Sequence, residues 1–181
     1  MTSDTGGTAP TYVLALIPPQ DISERVLQYQ LQYTRPSMEP HITIKFKAGL
    51  TPDLDWLPRV QALCAATAPF QVQLSGVRTF GPRVLFWDVV SPGARTLHLH
   101  TLLAVGHPPQ PQFFEGEAYQ MHLTLLYSPT SRQIQEASEL FQQAEFTARF
   151  LRLAIKKSHG KYETVQDLPF LDQTSTAKTP D

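Results

Sequence analysis

The chain is 181 residues long, 41% hydrophobic and 17% charged, enough to bury one core without metal or disulfide staples. No apolar run approaches the ~18 residues of a membrane-spanning helix. Fifteen Lys and Arg against sixteen Asp and Glu give a formal net charge of -1, which excludes a protein-wide field for long nucleic-acid polymers, and the lone Cys64 excludes an intrachain disulfide and any multi-thiolate metal site.

Residues 1–10 and 173–181 are rich in Thr, Ser, Gly, Pro and Asp and read as disordered tails around one domain over 11–172. No cation precedes an apolar stretch at the N-terminus, so a secretory signal is not expected and a cytoplasmic location is. Residues 12–17 form a strand halted by Pro18 and Pro19, and Asp21 can cap a helix over 22–33. After a loop over 35–40 comes a strand over 41–46, β-branched and alternating in polarity. Asp53 or Asp55 opens a helix through Leu57, Val60, Leu63 and Cys64 that ends before Pro69. Residues 70–74 and 83–90 read as paired strands about the Gly81-Pro82 turn. A helix over 97–105 leads through a loop with three prolines into a strand over 119–127, then a helix over 131–144. Strands over 146–155 and 162–165 close the fold.

Two blocks therefore share one order: helix, proline-bearing loop, then a strand that begins with His-x-Thr. His41 and His122 are separated by 81 residues, about half the folded unit, which suggests a pseudo-duplication with two lobes across a cleft. With six His and eighteen Thr, chance gives about 0.6 such triplets, so two with the same flanks, His-Ile-Thr-Ile and His-Leu-Thr-Leu, carry weight. On a strand, residues i and i+2 share a face. His41 then points with Thr43 and His122 with Thr124, while Ile42, Ile44, Leu123 and Leu125 enter the core. Two imidazoles and two hydroxyls suit in-line displacement at phosphorus, with a base and an acid on opposite sides and donors to the non-bridging oxygens. Such a site needs no metal and no cofactor.

These residues resemble the two-histidine phosphoesterase superfamily, in its 2'-5' RNA ligase or RNA 2',3'-cyclic phosphodiesterase branch. Residues 40–46 look like the first motif, 81–87 like the central strand, 121–125 like the second motif, and 160–162 with 168–170 like the closing strands. The resemblance implies an α+β fold of two pseudo-symmetric lobes with antiparallel sheets, outer helices and a central active-site cleft. It implies metal-independent opening of RNA 2',3'-cyclic phosphate ends to 2'-phosphates, with His41 as the acid and His122 as the base; some members of the family also join RNA ends reversibly through 2'-5' linkages without ATP. The partners would be RNA ends or nucleotides bearing a 2',3'-cyclic phosphate, and a monomer with no membrane association is expected. The family's second motif often carries arginine three residues after its threonine, where this chain has Tyr127. Lys45, placed on the His41 face by alternation, and Arg83 are the candidates to replace that cation, and Phe46, Phe114 and Tyr127 are the candidates to stack a nucleobase.

Three other readings compete. His98-x-His100 near His107 invites zinc, but in a helix ligands prefer spacings of three or four. A phosphodiesterase acting on 2'-5' oligonucleotides or small cyclic nucleotides would use the same four residues. A module that holds RNA ends without turnover is the third, and it has no need of a paired acid and base.

Overall fold

The computed structural model describes residues 10–171; apart from Pro10, the tails expected at 1–10 and 173–181 lie outside the described residues. In chain order the elements are β1 (Thr11–Leu16), α1 (Gln20–Leu31), β2 (Ile42–Phe46), α2 (Leu57–Ala66), β3 (Phe70–Phe80), β4 (Val84–Val90), α3 (Pro92–Val105), β5 (His122–Tyr127), α4 (Ser131–Leu140), β6 (Gln143–Ala148), β7 (Phe150–Lys156) and β8 (Tyr162–Pro169). Two 3-10 turns, Pro111–Phe113 and Gly116–Ala118, stand between α3 and β5.

The eight strands form one antiparallel sheet in the order β6-β3-β4-β5-β2-β1-β7-β8. Its centre is thin, because β2 and β5 meet through a single pair, Ile42 opposite Leu123. Two four-stranded halves thus face each other about the two His-x-Thr strands, and β5, β4, β3 and β6 correspond in position to β2, β1, β7 and β8. This is the α+β arrangement of pseudo-symmetric lobes that the resemblance implies.

Each half borrows a helix from the other. From α1, Tyr29 donates its hydroxyl to the Gln133 carbonyl at 2.8 Å and Gln30 donates to the Thr124 carbonyl at 3.1 Å, so α1 lies over β5. In return, His98 on α3 bonds the Ile44 carbonyl at 2.7 Å, over β2. Between sheet and helices lies the main core, with Leu14, Leu16, Val26, Ile42, Val60, Trp87 and Leu123 wholly buried. Side chains of this kind contribute about 1.5–3 kcal/mol each.

Several expected boundaries move. Helix α3 begins at Pro92 rather than Leu97, because Ser91 caps it by accepting from Ala94 N and a proline fits the first turn. Asp21 sits in the first turn of α1 and is not its cap, and α2 has no side-chain cap from Asp53 or Asp55. Helix α4 stops at Leu140, four residues short of the expected end, and starts on a capping box of Thr130 and Gln133. The strand read as continuous over 146–155 is two strands at opposite ends of the sheet, β6 beside β3 and β7 beside β1. A reversal at Arg149 without Gly or Pro leaves no turn signature in the sequence.

Candidate active site

The central register builds the site. Ile42 and Leu123 are directly opposite and buried, so one step to either side sets His41 across from Thr124, and Thr43 across from His122, on the other face. All four are half-buried. Each histidine therefore sits beside the other motif's threonine. The cavities agree with this crossed pairing: one of about 230 Å³ is lined by His122 and Thr43 together with Phe46, Gln112, Phe113 and Phe114. A smaller chamber of about 50 Å³ is lined by His41 and Thr124 with Gln30, Ser37, Met38 and Tyr127.

Both rings are held in the same way. His41 Nδ1 lies 2.8 Å from the Glu39 carbonyl and His122 Nδ1 lies 2.8 Å from the Gln120 carbonyl, two residues back in each case. A carbonyl only accepts, so each Nδ1 carries the proton and each neutral ring leaves Nε2 as its available base. Arginines brace both carbonyl segments. Arg152 bonds the Glu39 carboxylate at 2.6 Å and Asp167 at 2.7 and 2.8 Å, and Arg95 donates to the Tyr119 carbonyl at 3.0 Å. Burial lowers the His41 pKa below its ordinary value against the raising effect of the Glu39 carbonyl, and nearby His122 lowers it further. Burial also lowers the pKa of His122, opposed by the Gln120 carbonyl.

Straight alternation from His41 fails immediately after Thr43. Leu14 pairs with Lys45 and Ala15 with Thr43, so β2 carries one extra residue. This bulge turns both Ile44 and Lys45 toward the core and brings Phe46 back to the face of Thr43. Lys45 is accordingly not on the His41 face as expected: it is 1% exposed, and its ammonium meets Glu115 at 2.6 Å. Strand β5 repeats the device. Leu85 pairs with Leu126 and Phe86 with Thr124, which buries Leu125 and Leu126 and returns Tyr127 to the cleft side. Phe46 and Tyr127 are thus equivalent positions. Arg83 lies exposed in the β3–β4 turn, where its carbonyl accepts from Ser128 next to Tyr127, and it lines neither cavity.

The loop between α3 and β5 spans residues 106–121, against 32–41 for the loop between α1 and β2, and the extra length forms one wall of the larger cavity. Glu115 fixes it by binding Lys45 and accepting from Gln110 N at 2.8 Å. His98 fixes it again, since its Nε2 accepts from Gly116 N at 2.9 Å. Both ring nitrogens of His98 are then committed, which makes it a neutral structural residue; burial also lowers its pKa. Among the described residues no cluster of three or more His, Cys, Asp or Glu is arranged for a metal. Tyr119 stacks on His98 with centroids 3.8 Å apart and donates to the Thr43 carbonyl at 3.0 Å.

Sequence reasoning alone misses Phe80 and Phe86, which pack edge-on to His122 at 5.1 and 5.5 Å, and Gln30, whose Oε1 is buried without a partner among the described residues. The phenylalanines, 42 and 36 residues before His122, are brought to it by strand pairing, and no local pattern marks them. Phe114 extends the same ring cluster with a backbone φ of 56°, strain of order 1–3 kcal/mol for a non-glycine residue.

The sequence model of the 2'-5' RNA ligase superfamily matches residues 18–157. The chain belongs to this superfamily. A comparison with curated proteins finds no match. Among solved structures, TT0787 of Thermus thermophilus superposes with a TM-score of 0.63 at 18% identity, over 90% of this chain and 99% of that one. E. coli LigT, crystallised with 3'-AMP, superposes with a TM-score of 0.58 at 12% identity, over 91% of this chain and 100% of LigT. These likenesses establish the fold, and membership of the superfamily rests on the sequence model. Among the described residues no helix is long and apolar enough to cross a membrane.

Proposed function

We propose that this superfamily member hydrolyses RNA 2',3'-cyclic phosphate ends to 2'-phosphates without metal. The observation that carries the reading is the crossed pair of half-sites, each with an Nδ1-anchored imidazole beside a threonine from the other motif. A phosphate between the strands would have one Nε2 on each side and both hydroxyls within reach of its non-bridging oxygens. Water adds to phosphorus and gives its proton to one histidine. The bond from phosphorus to the 3' oxygen breaks, and the other histidine protonates that oxygen. If a 5'-hydroxyl replaces water, the same steps form a 2'-5' linkage without ATP, and the reverse reaction exchanges acid and base. E. coli LigT has been crystallised with 3'-AMP and with phosphate, ligands in keeping with such a substrate.

The ribonucleoside fits the larger, aromatic cavity with Phe46 as its stacking candidate, while Tyr127 stands at the smaller chamber beside His41. By family resemblance His41 is the acid and His122 the base. One observation favours the opposite assignment: the chamber beside His41 has room for about one or two waters, and the unpaired Gln30 Oε1 offers a water an acceptor.

Incubation in EDTA with a short RNA ending in a 2',3'-cyclic phosphate should yield the 2'-phosphate. A 3'-phosphate product, or strict dependence on added divalent metal, would contradict the proposal. An analogue whose leaving oxygen needs little protonation separates the roles, since only the variant that lacks the acid should recover: His41→Ala under the first assignment, His122→Ala under the second.

A further inference from the structure

The two concave half-faces carry matching rows that end differently. Across β5, β4 and β3 one row runs Thr124, Phe86, Arg78, and its counterpart across β2, β1 and β7 runs Thr43, Ala15, Arg152. The adjacent rows are Tyr127, Val84, Phe80 and Phe46, Val13, Ala154. Arg152 is 17% exposed and chelated by Asp167 and Glu39. Its counterpart Arg78 is 60% exposed and has one contact at 3.5 Å, to Asp88. Where the first half has Ala15 and Ala154, the second has a stack of rings: Phe80 lies 4.2 Å from Phe86 and 5.0 Å from Phe114, whose ring is 42% exposed. A groove of about 560 Å³ passes Arg78 and Arg95 and shares Gln120 with the catalytic cavity. Asp88 and Glu117 also line it, so it has no net charge, and Arg78 is the cation there whose weak partner a phosphate can replace.

We propose that this open half is a subsite for the nucleotide on the 5' side of the cyclic end, with its base on the exposed ring of the Phe114–Phe80–Phe86 stack and its phosphate on Arg78. A cation beside stacked rings is how single-stranded nucleic acid is held. Arg78 lies two strand spacings from Thr124, about 10 Å, a distance that one nucleotide unit and the arginine side chain span together. The substrate class is then an RNA strand rather than a free nucleoside cyclic phosphate. This inference rests on the proposed phosphodiesterase reading.

The test compares a nucleoside 2',3'-cyclic phosphate with a dinucleotide ending in the same group, and with that dinucleotide bearing an uncharged methylphosphonate linkage. The wild-type chain should prefer the charged dinucleotide over the mononucleotide by about tenfold or more in kcat/KM. Arg78→Gln should reduce that preference several-fold, Arg78→Lys should restore part of it, and the slope of log kcat/KM against log salt should shrink by about 0.7 on loss of one phosphate contact. On the methylphosphonate dinucleotide, Arg78→Gln and the wild-type chain should perform alike. No dinucleotide preference in the wild-type chain, or a loss in Arg78→Gln that is equal on all three substrates, would overturn the subsite while leaving the hydrolytic reading intact. Failure of the wild-type chain to open any of the three would remove that reading and the subsite together.

Discussion

Around His41 the concave face consists of Val13, Ala15 and Ala154 under a cover of Met38, Ile17 and Tyr162, whereas around His122 it consists of Phe80, Phe86 and Phe114, with Arg78 open beyond them. Yet the two histidines share a carbonyl anchor two residues back, a bulge just past the threonine, and an arginine bracing the anchor. What the repeats keep in common is what the proposed proton transfer at one phosphate would demand: two rings in a fixed tautomer, each with Nε2 left to act. What they vary is the surroundings, where a substrate is told apart from its analogues. Lys45 and Leu126 show the same division. They occupy equivalent bulge positions, and only the one on β2 carries a charge, which holds Glu115 in the long wall loop ahead of β5.

That pair offers the sharpest break in the symmetry. Lys45→Met leaves Glu115 buried without its cation, an event that costs about 3–5 kcal/mol, while Leu126→Met, a volume-conserving change, should cost less than about 1.5 kcal/mol. Denaturant unfolding of both variants measures the difference, and equal losses would mean that the ion pair is not what fixes the wall. The threonines test the shared part. Thr43→Val and Thr124→Val should each remove roughly 1–3 kcal/mol of transition-state stabilisation, as for one lost donor to a charged group. Similar losses in kcat/KM are expected from the crossed geometry; wild-type rates in both variants would remove the phosphate contacts.

The smallest effect is on pH. Burial holds both imidazoles below their ordinary value of about 6.5, and His122 lowers the proton affinity of His41 further. The acid must be protonated in the free enzyme and loses its proton as pH rises through this lowered pKa. The alkaline limb of kcat/KM should therefore fall on the acid side of about 6.5, with the acid limb lower still. A profile in EDTA with its maximum on the alkaline side would contradict these environments.

The sequence makes the candidate histidines and threonines legible and much of their support invisible, for a physical reason. His-x-Thr between apolar neighbours states a face, and two copies half a domain apart state a cleft. A bulge without glycine leaves no mark, so Ile-Lys-Phe after Thr43 reads as plain alternation and puts Lys45 on the wrong side. The partner that would have revealed its burial, Glu115, is 70 residues away. Phe80 and Arg78 are likewise placed by pairing across three strands. Ser91-Pro92 is different: cap and first-turn proline announce the start of α3, and the helical pattern from Leu97 onward obscures them.

If His41 and His122 act as one unit on one phosphate, kcat for His41→Ala, His122→Ala and the double variant on a cyclic-phosphate RNA will show it. Each single change should cost about 10²- to 10⁴-fold, and the double change should cost little more than the worse single, as for residues that work together. Losses that multiply would make the histidines independent, and a folded double variant with wild-type turnover would refute the account.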